Sequence, residues 1–163
     1  MTGLDAMGPP SASETTVGTV VPGGSLVWEP PPPTTGRCDT GDVSSPRRPL
    51  ADLTWPEVDA TSGDGGTVLL IPLGSTEQHG PHLPLDTDTR IAVALGERAV
   101  TTDRVRAQLA PALAYGSSGE HAGFPGTLSI GQAALEAVVR ELVRSADGFA
   151  GVVLVCGHAG NAE

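Results

Sequence analysis

The fold of this chain is decided by the stretch Thr67-Val68-Leu69-Leu70-Ile71-Pro72-Leu73, which runs directly into Gly74-Ser75-Thr76-Glu77-Gln78-His79. The first part is a continuous β-branched and aliphatic run, and such a run is typical of a parallel strand that is covered on both faces. The second part is polar and begins with glycine, as loops often do. We therefore expect a buried strand whose carboxyl end carries a chemically active loop.

Helices and strands alternate on the C-terminal side of this stretch. We predict a helix over residues 89–102, a strand over 107–115 that Pro111 interrupts, a helix over 131–147 and an all-apolar strand over 151–156. The alternation indicates an α/β fold with a mostly parallel sheet. The second helix should lie flat on that sheet through an apolar stripe at positions i, i+3, i+4, i+7 and i+8, which consists of Leu135, Val138, Val139, Leu142 and Val143.

The N-terminal part of the chain has a different composition. Nine of the fifteen prolines lie in residues 1–50, where no apolar periodicity occurs. We therefore predict a disordered, Pro/Gly-rich leader over 1–48, followed by one α/β domain over 49–163. At the start of that domain, residues 50–58 should form a short helix capped by Thr54, with Trp55 as a packing anchor.

Charge and composition exclude several classes of function. The 163 residues carry a formal net charge of −10, which argues against nucleic acid or an anionic membrane as a partner. All nine basic residues are arginines, so Schiff-base chemistry and a P-loop lysine are excluded. Cys38 and Cys156 form no spaced framework, and no apolar run is long enough to span a membrane, so we expect a cytoplasmic protein without disulfides.

The four histidines lie in polar loops next to strand ends, and carboxylates accompany three of them. Glu77 and His79 are two residues apart, so in extended backbone their side chains leave on the same face while Gln78 points away. Asp88 follows after a Gly/Pro-containing loop and is our choice for a carboxylate shared between two ions, with Asp86 as the competitor.

A second loop brings a further histidine to the same edge of the predicted sheet. His158 follows the strand over 151–156, and the carboxyl ends of parallel strands meet at one edge. The resulting mixture of carboxylates and imidazoles, formed by Glu77, His79, Asp88 and His158, suits Zn²⁺, Mn²⁺ or Fe²⁺. We interpret Cys156 as a small buried strand residue, since its apolar setting offers neither a partner base nor an exposed thiolate.

A third loop, residues 115–127, is rich in glycine and holds both an acid and an imidazole, Glu120 and His121. It could form a lid or a substrate wall, which makes these two residues candidates for catalysis, or His121 could cap the following helix. Serine chemistry is less attractive, because the Gly116-Ser117-Ser118-Gly119 stretch does not match the nucleophile elbow.

These motifs resemble the creatininase (creatinine amidohydrolase) family. The resemblance rests on Gly74 to His82, Asp88, Phe124-Pro125-Gly126-Thr127 and Gly157-His158, with a similar Leu-Thr-Trp-Pro-Glu lead-in at 53–57. Within the family, residues 84–90, 119–121 and 126–131 look most like the mycofactocin-system subgroup, whose members are peptidases that release a C-terminal Val-Tyr dipeptide from a precursor peptide.

The resemblance implies a three-layer αβα sandwich and hydrolysis of an amide bond at a two-metal site. Glu77, Asp88 and His158 would hold one ion, and His79 with the bridging Asp88 would hold the other, the ions being Zn²⁺, Fe²⁺ or Mn²⁺. It further implies a peptide or small amide as substrate and a homo-oligomer. In the family's pattern a further carboxylate is supplied outside the residues matched here, so we expect a C-terminally truncated member that lacks the distal part of the fold. The alternatives are an inactive metal-binding remnant and an amidohydrolase of creatinine or another cyclic amide.

Overall fold

The computed structural model describes residues 47–62, 66–102 and 105–162. The predicted leader over 1–48 and Cys38 therefore lie outside the described residues, apart from the last two positions of the leader. Three α-helices are present in the described ranges: α1 (Trp55–Ser62), α2 (Thr87–Val100) and α3 (Gln132–Ser145). The helix predicted over 50–58 is divided, since a short 3-10 helix at Leu50–Asp52 precedes α1. Three strands accompany them: β1 (Val68–Leu73), β2 (Ala107–Leu109) and β3 (Gly151–Cys156).

The three strands form one parallel sheet in the order β2-β1-β3. The predicted buried strand is confirmed as β1, which lies in the middle and has five consecutive buried residues. Pro72 is tolerated in this central position because β2 ends at Leu109, so no β2 residue needs the N–H that proline lacks. Of the strand predicted over 107–115, only Ala107–Leu109 forms; it ends two residues before Pro111, and an isolated bridge between Leu73 and Leu113 follows.

Successive residues of β1 face two separate apolar layers, as the alternation of side chains along a strand requires. Leu69, Ile71 and Leu73 pack with Ala146 and with Val139 of α3 on one face. Leu70 packs on the other face with a cluster that includes Val100 of α2. Helices thus cover both faces of a parallel sheet, and the predicted αβα arrangement is confirmed.

Two expectations about packing are wrong. Trp55 is 80% exposed, because α1 buries only its last residue, Ser62, and its first turn lies over solvent. The stripe of α3 packs only in part: Leu135 is buried, whereas Val138 and Leu142 are each 38% exposed. The sequence pattern identifies the apolar side of a helix but not the width of the surface that covers it.

The described part of the chain contains no helix that is long and apolar enough to cross a membrane.

Candidate functional site

The site is built at the carboxyl ends of β1 and β3, whose last residues, Leu73 and Cys156, are partners in the sheet register. The loop after β1 carries Glu77 and His79, and the loop after β3 carries His158. Asp88 is supplied by the first turn of α2, which begins two residues earlier than predicted. The meeting of these two loops at one sheet edge follows the general rule for parallel sheets.

The four predicted metal-ligating side chains form one connected cluster, in which each carboxylate faces both histidines. Asp88 links the two histidines through separate oxygens: Oδ1 lies 2.9 Å from His79 Nε2, and Oδ2 lies 2.9 Å from His158 Nδ1. Glu77 Oε2 is 3.2 Å from His158 Nε2, and Glu77 Oε1 is 3.9 Å from His79 Nε2. Two sets of side chains could each hold an ion, Glu77 with His79 and Asp88, and Glu77 with Glu120 and His158.

Both ring nitrogens of His79 face oxygen acceptors. Nδ1 lies 3.1 Å from the carbonyl oxygen of Glu77, which can only accept, so Nδ1 carries a hydrogen. Nε2 then faces the Asp88 carboxylate across 2.9 Å. In a neutral ring this nitrogen has a lone pair, so the contact is favourable only with a cation or a second proton between the two groups.

His158 repeats this pattern at the end of β3. Its Nε2 is 3.0 Å from the carbonyl oxygen of Ser117 and its Nδ1 is 2.9 Å from Asp88 Oδ2. A neutral imidazole carries one hydrogen and cannot donate to both oxygens. The ring is also buried, with an exposed fraction of 5%.

Burial makes the charge of the carboxylates costly without a cation. Glu77 and Asp88 are buried, and Glu77 Oε2 has no hydrogen-bond partner among the described residues. Burial by itself lowers the pKa of His79, but the hydrogen bonds to Asp88 and to the Glu77 carbonyl outweigh it and raise the pKa above its ordinary value. The donor set and the orphaned oxygen therefore fit a divalent cation.

Asp86, the competitor of Asp88, turns away from the site. Its Oδ1 accepts a hydrogen bond of 2.8 Å from Arg90 Nε, and this bond lowers the pKa of the Asp86 carboxyl. Asp88 is instead fixed by Ser75, whose hydroxyl donates to Oδ2 over 2.9 Å. Because α2 begins at Thr87, Asp88 lies in its first turn and faces the sheet edge, whereas Asp86 precedes the helix and does not.

Glu120 and His121, the candidate catalytic pair, lie at the rim of the same cluster. Glu120 Oε1 is 3.4 Å from His158 Nε2, and His121 Nε2 is 3.4 Å from Glu77 Oε1. His121 therefore faces the site, and the alternative in which it caps α3 is wrong. The fourth histidine, His82, is exposed.

The structure also brings in residues that the sequence analysis missed. Gln78 was expected to point away from Glu77 and His79, yet its Nε2 lies 2.9 Å from His121 Nδ1, so it contacts a histidine of the same cluster. Asn161 ties two of the loops together by donating to the Gly74 carbonyl and accepting from the Ser117 amide. Their polarity and their places beside His79 and His158 were the available signals.

Gly160 leaves room at the centre of the second set of side chains. A Cβ at this position would lie 2.6 Å from Glu120 Oε1 and 2.6 Å from His158 Nε2. Cys156 differs from expectation in being exposed, since it ends an edge strand of the described sheet, and its Sγ donates to the carbonyl oxygen of His158.

An α/β fold with a carboxylate and imidazole cluster at the carboxyl edge of a parallel sheet defines a class of candidate metal-site proteins. The sequence profile of creatinine amidohydrolases matches residues 51–163, and the chain belongs to the creatininase family.

Curated relatives share this region. A mycofactocin precursor peptide peptidase from Mycolicibacterium smegmatis is 57% identical over 102 residues, covering 59% of this chain and 41% of that protein. The peptidase of the same description from Mycobacterium ulcerans is 51% identical over 131 residues, covering 76% and 48%. Creatinine amidohydrolase from Pseudomonas putida is 34% identical over 119 residues, covering 69% and 45%. The chain thus spans less than half the length of these relatives.

Solved structures agree with this assignment. A crystal structure of creatinine amidohydrolase matches with a TM-score of 0.63 at 34% identity, covering 69% of this chain and 46% of that one. Matching creatininase structures include a mutant of Zn-Zn type and a form designated Mn. The expected creatininase fold is therefore shown for the part of the chain that is matched.

Proposed function

We propose that this chain carries the metal centre of a hydrolase of amide bonds, and that its substrate is a peptide of the mycofactocin precursor type. The observation that carries the proposal is that His79 and His158 each present both ring nitrogens to oxygen acceptors, around a buried Glu77. The peptide substrate is proposed from the identity of 51–57% to the mycofactocin precursor peptide peptidases.

In this proposal Glu77, His79, Asp88 and His158 hold two divalent ions, Zn²⁺, Fe²⁺ or Mn²⁺, with Asp88 between the two histidines. Bound ions would supply Lewis acidity toward the carbonyl of an amide and toward water. Ser75 and the Glu77 carbonyl hold Asp88 and His79 in orientation, a supporting role that commonly accompanies metal ligands.

Glu120 and His121 border the cluster and are proposed to handle protons during amide cleavage. Glu120 is half-exposed, so it can exchange protons with solvent while lying 3.4 Å from His158. The ring of His121 rests edge-on against Phe124, with a centroid distance of 6.3 Å. The exposed Phe124 could also contact an apolar side chain of a peptide.

The proposal is tested by incubating the 163-residue chain with Zn²⁺ or Mn²⁺ and either a synthetic precursor peptide ending in Val-Tyr or creatinine, with products followed by mass spectrometry. We expect release of the dipeptide, its abolition in Glu77→Gln, and normal release in Glu97→Gln, which changes an exposed glutamate of α2. Cleavage of creatinine alone would favour the cyclic-amide alternative. Metal binding without cleavage of either substrate would contradict the hydrolase and favour a metal-binding role.

A further inference from the structure

The side-chain amide of Gln78 connects a backbone N–H to the ring of His121. The Gly80 amide donates a 2.9 Å hydrogen bond to Gln78 Oε1, and Gln78 Nε2 lies 2.9 Å from His121 Nδ1. Gly80 can reach this position because its φ of 73° is in the left-handed region that glycine adopts easily.

The Gly80 contact fixes which way the amide points. A backbone N–H can only donate, so the Gln78 atom that faces it must be the carbonyl oxygen. The opposite orientation would bring the NH₂ group against the Gly80 N–H and pair two donors. The NH₂ group of Gln78 therefore faces His121.

This orientation in turn determines the hydrogen on His121. Because the Gln78 NH₂ group can only donate, His121 Nδ1 must be an acceptor and carries no hydrogen. A neutral imidazole has one ring hydrogen, which is then on Nε2. Nε2 is the atom that lies 3.4 Å from Glu77 Oε1.

We propose that Gln78 is a positioning residue that fixes His121 as the Nε2–H tautomer and so directs the proton of the neutral ring at Glu77. The geometry of the three contacts carries this inference without any bound ion. Its meaning for catalysis rests on the proposed function, in which His121 handles a proton beside the Glu77 carboxylate. The edge contact with Phe124 helps to keep the ring in this plane.

The test is the tautomer itself, read from long-range ¹H–¹⁵N correlation spectra of the 163-residue chain labelled with ¹⁵N-histidine. Spectra are taken without added metal at about pH 8.5, where an ordinary histidine is neutral. The chain has four histidines, so loss of one signal set in His121→Gln assigns its nitrogens. In the wild type we expect Nδ1 of unprotonated type and Nε2 of protonated type.

Two variants separate positioning from simple packing. In Gln78→Glu the carboxylate can only accept, so Nδ1 should gain a hydrogen and its signal should change to the protonated type. In Gln78→Met a chain of similar length cannot donate, so signals intermediate between the two tautomers are expected. If His121 handles a proton through Nε2, the hydrolysis rate of Gln78→Glu should also fall, by about 10²-fold.

A wild-type spectrum with a protonated Nδ1 would overturn the proposal whether or not either variant folds. A Gln78→Glu spectrum of the wild-type pattern would overturn it as well. The proposed hydrolase fails separately: a chain that cleaves no peptide can still show the predicted tautomer, and an active chain can show the wrong one.

Discussion

Glu77 is the side chain on which the contacts of the cluster converge. It lies within 4 Å of three of the four histidines, although it is almost fully buried at 3% exposure. A buried carboxylate with an unbonded oxygen is expensive unless positive charge is placed beside it. At the scale of single residues, the local need for positive charge is therefore the strongest sign of a cation site.

The two neighbouring aspartates provide a matched test of this view. In Asp88→Asn, the loss of a carboxylate that contacts both His79 and His158 should weaken Zn²⁺ or Mn²⁺ binding by at least about 10-fold. In Asp86→Asn the affinity should stay unchanged, because Asp86 is paired with the exposed Arg90. Isothermal titration calorimetry measures both, and equal weakening in the two variants would contradict the assignment.

Sequence reasoning predicted the six side chains that the structure brings together at this edge of the sheet, but not their supporting contacts. The types and spacing of Glu77 and His79 at a strand end carry chemical information that any reader of the sequence has. The contact between Gln78 and His121 cannot be predicted in this way, because the two residues are 43 positions apart and meet only when their loops fold against each other. The same holds for Asn161 and for the space beside Gly160.

At the scale of elements, α1 begins directly after Thr54, the residue that the sequence predicts as its cap, but the Thr54 hydroxyl binds the Glu57 side chain and not a backbone N–H. The Thr54 amide and hydroxyl both donate to Glu57 Oε2 over 2.8 Å, and Arg48 forms an ion pair with the same carboxylate. The contact from the Thr54 amide to the Glu57 side chain is one half of a capping box and satisfies a backbone N–H that the helix itself leaves unpaired. The backbone contact from Thr54, followed by its hydroxyl and Arg48, lowers the pKa of Glu57 from 4.5 to about 2.

This lowered pKa predicts an acid-sensitive helix start. Since the folded-state pKa lies below the unfolded value, the contribution of Glu57 is complete above pH 4.5 and is lost as the pH falls toward 2. The stability difference between wild type and Glu57→Gln in urea should therefore be present near neutral pH and shrink in this acidic window. If the stability difference between wild type and Glu57→Gln grew as the pH fell, the predicted direction of the pH dependence would be wrong.

The packing of β3's loop on α2 leaves no space at Gly157. A Cβ there would overlap the carbonyl oxygen of Asp88 and come within 3.1 Å of Ala92 Cβ. Because backbone must move to relieve this overlap, Gly157→Ala should lower the free energy of unfolding by about 1–3 kcal/mol. Gly148→Ala is the control, since its Cβ would meet nothing within 4 Å. Denaturant unfolding of both variants measures the difference. Equal free energies of unfolding would contradict the prediction and show that the loop moves without cost to accommodate the added methyl group.

The elements themselves were largely predictable, and the exceptions have a common cause. The continuous apolar run of β1 and the periodicity of α3 specify their type from local sequence alone. Whether the side chain of Val138 or Cys156 is buried depends on residues that are distant in the sequence. The local sequence pattern does not show which residues these are. Burial was therefore the property that sequence predicted least well.

At the scale of the whole molecule, β3 forms one side of the described sheet and leaves apolar side chains uncovered. Val153 is 44% exposed and Leu154 is 40% exposed. Exposed apolar residues on an edge strand favour association between chains. The described sheet is thus well packed in its centre and weakly protected on the β3 side.

We therefore predict that one leucine substitution reduces aggregation and that another reduces stability. Leu154→Thr should raise the concentration at which the chain aggregates while changing the free energy of unfolding by less than about 1 kcal/mol. Leu70→Thr, at a position only 5% exposed in β1, should cost about 2–5 kcal/mol through the lost packing. Light scattering and urea unfolding test the pair, and aggregation unaffected by Leu154→Thr would show that another surface is responsible.

The central claim is that the cluster at the carboxyl edge of the sheet holds divalent metal, and metal content per chain tests it most directly. Elemental analysis of protein purified without chelator should find close to two ions per chain in the wild type and in Asp86→Asn. The ions should be absent from Asp88→Asn and from Glu77→Gln. A wild-type chain that retains no ion, or ions that persist in both of these variants, would contradict the account.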